Sequence, residues 1–242
     1  MFYKFLMYSI QDIQLKKKLF FMVILFIMTM MLFAIIPSHT LVLTRWHSVK
    51  DFMLLFRYEY FHLPIFLVLL GTFSEINDWV LLRRYIHRQH IAWQKICLVF
   101  TVTAILTAII MLGSTISTCL VKYMIYPHVT NYSALFLYMP DLVEDGSLLY
   151  FVYMYFCLTA ISGLLFILLQ QLLKNNFIST IIIMCVVVLD QMTISIVPTL
   201  FYKSEFISPI SSFLKLVAIA VLLVNSIHYL VNKLDFYVRD DK

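Results

Sequence analysis

The sequence predicts an all-α integral membrane protein, with six transmembrane helices forming a single domain over residues 1–242. Three observations predict it. Of the 242 residues, 62% are hydrophobic and only 13% are charged, against about 45–50% apolar in ordinary soluble domains. Such a chain has too little polar surface to coat an apolar core in water, whereas hydrocarbon demands no coat. Only 4 Gly and 6 Pro occur, so the apolar runs reach about 20 residues, the length that carries a helix across a bilayer. A strand-built barrel would instead show short alternating segments. Finally, the cations cluster between the apolar runs. The net charge of +5 in a soluble chain would suggest a nucleic-acid partner. Here it reads as topology, because Lys and Arg collect on cytoplasmic loops and near anionic lipid.

Taken in order, residues 1–18 place Phe2, Phe5, Leu6, Ile10 and Ile13 at helical spacing. This predicts an amphipathic helix lying in the inner membrane interface, its lysines toward lipid phosphates. Lys16, Lys17 and Lys18 then precede the first span, about 19–36. That run is longer than a signal-peptide core of about 7–15 residues and no small-x-small cleavage site follows, so it reads as a retained span. The second span, about 60–79, is the weakest: its apolar part is short, Pro64 interrupts it and its lower end is polar. The third covers about 96–121. Its pairs Ala104/Ala108 and Gly113/Ser117 are small residues four apart, a spacing that lets helices approach closely. The fourth, fifth and sixth cover about 148–173, 177–197 and 213–231. Between the last two, residues 198–212 read PTLFYKSEFISPISS. They form either an exposed loop or short half-helices that re-enter the membrane, which protein or a water cavity must then surround.

With the N-terminus inside, the inner segments hold Lys4, Lys16, Lys17, Lys18, Arg83, Arg84, Arg88, Lys95, Lys174, Lys233, Arg239 and Lys242. The outer segments hold Arg45, Lys50, Arg57, Lys122, Lys203 and Lys215. This twofold bias puts both termini in the cytoplasm, against the pull of the basic stretch from Arg45 to Arg57. Tyr58, Tyr60, Tyr123, Tyr126, Tyr132, Tyr138, Tyr150 and Tyr153 crowd the expected outer boundary. Amphipathic rings settle there, so most of them read as a headgroup belt. Cys97, Cys119, Cys157 and Cys185 lie in or beside apolar runs with no C-x-x-C pair, and are expected to be buried, inert thiols.

The motifs of membrane enzymes are missing. No G-x-x-x-x-G-K-[ST] phosphate loop, H-E-x-x-H or G-x-S-x-G occurs. His87 and His90 could share a helical face, but a metal needs further ligands that the neighbouring sequence does not supply. No catalytic, cofactor-binding or metal residue is therefore expected. Asp190 is the one acid within a predicted span, beside Gln191. An intramembrane carboxylate is costly and faces protein or water, which makes Asp190 and Gln191 candidates for a pathway or a dimer interface.

The densest polar stretch runs SEINDWVLLRRYIHRQHIAWQK from Ser74 to Lys95. Glu75 and Asp78 come first, then Arg83, Arg84, His87, Arg88 and Lys95, interleaved with Trp79, Leu82, Ile86 and Trp93. Apolar and cationic residues fall on separate helical faces. The plain reading is an inner hairpin that follows the positive-inside rule. The sharper one is a short helix docking into a soluble partner, its apolar face filling a groove and its charges setting the register.

This stretch, with six spans and a basic interfacial N-terminus, resembles the permease subunit of a type-2 ATP-binding-cassette (ABC) exporter. In that family an acidic residue near the end of span two precedes the coupling helix, a basic cluster follows, and a Lys opens span three. Glu75 and Asp78, then Arg83, Arg84 and Arg88, then Lys95 match that order. The resemblance covers the layout of the whole chain. Its local motif is loose, and the family's final extracellular helical element is only weakly marked. It implies ATPase-coupling roles for Glu75, Asp78, Trp79, Arg83, Arg84, His87, Arg88 and Lys95. It also implies ATP and Mg bound in a separate ABC ATPase subunit, and a second permease, identical or paralogous, to enclose a pathway. The chain itself is then no enzyme. The composition, rich in Phe, Ile, Met and Tyr, resembles that of low-GC Gram-positive bacteria. Short permeases of this kind there export hydrophobic or amphipathic peptides such as bacteriocins and toxins. The expected setting is a bacterial cell membrane, with lipid and peptide as the other partners. The alternative is an ATPase-independent multi-span protein, such as a peptide-immunity or sensor protein.

Overall fold

The computed structural model describes residues 2–15, 24, 58–74, 88–125, 147–192 and 209–233. These form α1 (Phe2–Leu15), a π-helical turn (Tyr58–His62) leading into α2 (Leu63–Ser74), α3 (Arg88–Ile125), α4 (Ser147–Leu173), α5 (Asn176–Met192) and α6 (Pro209–Lys233). No strand occurs among the described residues. Among the described residues, three helices are long and apolar enough to cross a membrane, through Gln89–Gly113, Val152–Leu173 and Leu214–Lys233. The apolar part of α5, Asn176–Asp190, is shorter. The expected first span lies outside the described residues apart from Ile24, as do residues 193–208.

The helix bounds depart from the expected spans. α3 is already helical at Arg88, ahead of the start expected near 96: QHIAWQK is built of residues that tolerate a helix and docks on α1, with the His90 ring 5.7 Å from Phe5. Lys95 therefore lies two turns inside α3, buried, instead of opening it. α6 is helical from Pro209 onward in the described residues, taking in four residues expected in the preceding connection. Pro64 does not break the second span. It lies in the first turn of α2, and the turn before it widens to π, which absorbs the hydrogen bond a proline cannot donate.

α1 divides its apolar residues between protein and surroundings. Phe5 and Ser9 pack inward, while Tyr3, Met7 and Ile10 form an exposed stripe beside Lys4. Phe5, expected on the lipid side, thus packs against protein. The core is built from α2 (Leu63, Phe66, Leu70, Phe73), α3 (Ile91, Val99, Val102, Ile110) and α4 (Met154, Leu164, Phe166, Ile167). Outward faces of α5 and α6 carry Phe177, Leu189, Leu214 and Leu222, all strongly exposed. Apolar outer faces of this kind suit a hydrocarbon surround. Cys97 is buried and Cys157 half-buried, but Cys185 is exposed on the outer side of α5, contrary to the expected burial. Ala104 and Ala108 also face outward, so they do not bring helices together within the described residues. The close approach is made instead at Gly163 of α4, where a Cβ would lie 2.7 Å from Val99 Cγ1 and 2.9 Å from Phe66 Cζ.

Contacts fix relative directions. As α2 advances from Tyr58 to Ser74, its partners on α4 advance from Tyr155 to Gln170, so the two run parallel. Trp93, near the start of α3, meets His228, near the end of α6, with ring centroids 4.9 Å apart, so these two run antiparallel. α4 reverses into α5 over Lys174 and Asn175. Lys174 adopts φ 53° and donates its N–H to the Gln170 carbonyl at 2.9 Å, a left-handed helix terminator usually made by glycine. Asn175 then caps α5, its Oδ1 accepting the N–H groups of Phe177 (2.9 Å) and Ile178 (3.2 Å). Since a left-handed residue with a Cβ costs about 1–2 kcal/mol, Lys174→Gly is expected to raise stability by about 1 kcal/mol. Thermal unfolding in detergent micelles checks this. An unchanged midpoint would mean that the turn carries no such cost.

Candidate functional site

Two polar clusters occupy opposite ends of the α2–α4 pair. At one end, the Gln170 amide donates to Ser74 Oγ at 2.8 Å and to Asn176 Oδ1 at 2.6 Å, and Asn176 Nδ2 donates to the Gly71 carbonyl at 3.3 Å. This network ties the ends of α2 and α4 to the start of α5. Polar side chains inside an apolar bundle act as interhelical glue, because their unpaired state is costly there. The arrangement is structural: it ties three helix ends together, although the Gln170 Oε1 meets no donor among the described residues.

The other end is different. The π turn carries Tyr58, Glu59 and His62, all buried: Glu59 is 1% exposed. Tyr155 of α4, fully buried, stands edge-on to Tyr58 at 5.3 Å and to His62 at 5.7 Å between ring centroids. The Tyr58 hydroxyl lies 3.5 Å from Ser162 Oγ. Both Glu59 carboxyl oxygens are buried with no hydrogen-bond partner among the described residues. Asp190, near the end of α5, lies within electrostatic reach of Glu59. This electrostatic reach relates a predicted site residue, Asp190, to a carboxyl that sequence reasoning passed over. Burying an ionised carboxylate without donors is strongly unfavourable, and acids at such positions mark functional sites by default.

A signal for Glu59 was present. YEYFHLP puts Glu59 and His62 three apart on one face immediately before Pro64, and a proline near a helix start favours a local π adjustment. Tyr58, grouped with the outer tyrosine belt, is buried in this cluster instead, whereas Tyr60 is exposed as a belt residue would be. Of the other predicted residues, Glu75, Asp78, Trp79, Arg83, Arg84 and His87 lie outside the described residues. Arg88 is the first residue of α3, and Gln191 lies in the last turn of α5.

No protein-family model, curated protein or solved structure matches the chain. The functional reading therefore rests on its own residues. Among the described residues no group of His, Cys, Asp and Glu is placed to hold a metal ion. The π turn offers a buried carboxyl beside aromatic rings within an apolar bundle, with no nucleophile–base pair among the side chains named above. Its chemistry is that of charge and proton occupancy.

Proposed function

We propose that the chain is the six-span permease subunit of an ATP-driven ABC exporter, exporting hydrophobic or amphipathic peptides while a separate subunit hydrolyses ATP. One observation carries the reading: α2 and α3 are packed neighbours joined by the acidic-then-basic stretch from Glu75 to His87. In this reading the spans alternate in direction, so that the start of α3 lies beside the end of α2, on the side where α1 docks at His90. The elbow, with Trp79, Arg83, Arg84 and Arg88, faces the cytoplasm there and grips the ATPase. Both chain termini lie on that face. The exposed stripe of Tyr3, Met7 and Ile10 beside Lys4 supports an interfacial role for α1. Two permeases enclose the pathway, and Asp190 and Gln191 line it or the seam between them.

In this mechanism ATP closes the motor subunits, the elbow follows, and the spans rock as rigid bodies to open the pathway outward. The test is co-purification of the full chain with ATPases from its native membrane. Replacing Arg83, Arg84 and Arg88 together by Ala is expected to reduce recovery of a phosphate-loop ATPase about tenfold or more, as loss of several interfacial charges does, with helicity unchanged. If recovery is equal, the coupling role is wrong. The buried Glu59 favours a second reading, an ATPase-independent sensor or immunity protein. Failure of the native chain to recover any ATPase would support it.

A further inference from the structure

We propose that the buried Glu59 carboxyl, with Asp190 of α5 within electrostatic reach, binds one exchangeable proton inside the bundle, making the π turn a proton-binding site. The Glu59 carboxyl is almost completely buried, and neither oxygen meets a donor among the described residues. The polar groups around the turn come from three elements: Tyr58 and His62 of the turn itself, Tyr155 and Ser162 of α4, which meet the Tyr58 and His62 side chains, and Asp190 of α5, which acts on Glu59 electrostatically. α3 supplies no titratable side chain between Phe100 and Gly113. On the turn itself the side chain able to carry positive charge is His62, whose ring lies against Tyr155. An ionised carboxylate buried without donors is strongly unfavourable, so the Glu59 carboxyl takes up a proton. The site sits on a π turn, a local geometry that recurs at functional positions. This inference does not depend on the exporter reading: a chain that binds no ATPase keeps the same acids in the same place.

The probe is dicyclohexylcarbodiimide, an apolar reagent that reaches buried carboxyls through lipid. A protonated carboxyl adds across one of its C=N bonds, the proton passing to nitrogen, and the adduct rearranges to a stable N-acylurea. The full chain is placed in phosphatidylglycerol-containing nanodiscs, and labelling is read by mass on the Glu59 peptide. The expected result is labelling at Glu59 whose rate falls as pH rises, absent in Glu59→Gln. Asp190→Asn is expected to shift the midpoint to lower pH by about one unit, because a like charge has been removed. His62→Asn leaves the midpoint in place. Labelling absent at every pH, labelling equal at every pH, or a midpoint that Asp190→Asn does not move would each overturn the proposal. So would a pH dependence that disappears in His62→Asn, since the proton would then belong to the imidazole.

Discussion

Gly163→Ala is expected to lower the thermal midpoint of the purified protein by several degrees, while Gly71→Ala leaves it unchanged or raises it. At Gly163 the new methyl would stand 2.7 Å from Val99 Cγ1 and 2.9 Å from Phe66 Cζ, well inside the ordinary contact of about 3.5–4.0 Å between carbons. Neither neighbour can yield cheaply. Val99 is β-branched and fully buried, and Phe66 is fully buried as well. Overpacking of this sort costs about 1–3 kcal/mol, against a gain near 1 kcal/mol for replacing a helical glycine. The balance is a loss of about 1–2 kcal/mol, which for a chain of this size is about 2–8 °C. At Gly71 the nearest atom, Phe166 Cζ, is 3.4 Å away and Asn176 Cβ 3.7 Å. An added methyl there makes contact without overlap, so the helix gain survives. If both variants melt alike, α4 does not approach α2 and α3 as closely as described.

Tyr155→Ala is expected to destabilise by about 2–3 kcal/mol. The ring is the largest fully buried side chain of the bundle, and it holds Tyr58 and His62 edge-on. Truncating buried aromatics costs about 3–5 kcal/mol in water-soluble cores. The lower figure applies here because lipid solvates apolar surface in the unfolded reference, leaving mainly the loss of packing contacts. Tyr155→Phe keeps the ring and is expected to lose about 1 kcal/mol or less. Equilibrium unfolding in mixed micelles distinguishes them. Equal losses would assign the role to the hydroxyl and not to the ring.

How much of this was readable in advance depended on the physical origin of each feature. Helices at 148–173 and 213–231 were legible because length and apolarity alone select them, and α4 begins one residue earlier, at Ser147. The helicity of residues 88–95 was not, since this stretch is polar and packs on α1, a tertiary contact that local hydropathy cannot foresee. Asp190 was readable as an acid within an apolar run. Glu59 was hidden because it sits at the margin of a short, proline-interrupted run, beside a basic stretch weighed only for topology. The close helix approach was looked for at Ala104/Ala108, although Thr159 and Gly163 show the same four-residue spacing. Spacing identifies where a small face exists, and only the assembled bundle determines which small face is covered.

The length of α3 has a mechanical consequence. Its 38 residues extend about 57 Å, against a hydrocarbon thickness of about 30 Å. It also touches α1, α2, α4 and α6. A rod that outreaches the bilayer and abuts four neighbours moves as a single strut. A push on its Trp93 end is carried along its axis to Gly113, on the far side of the core.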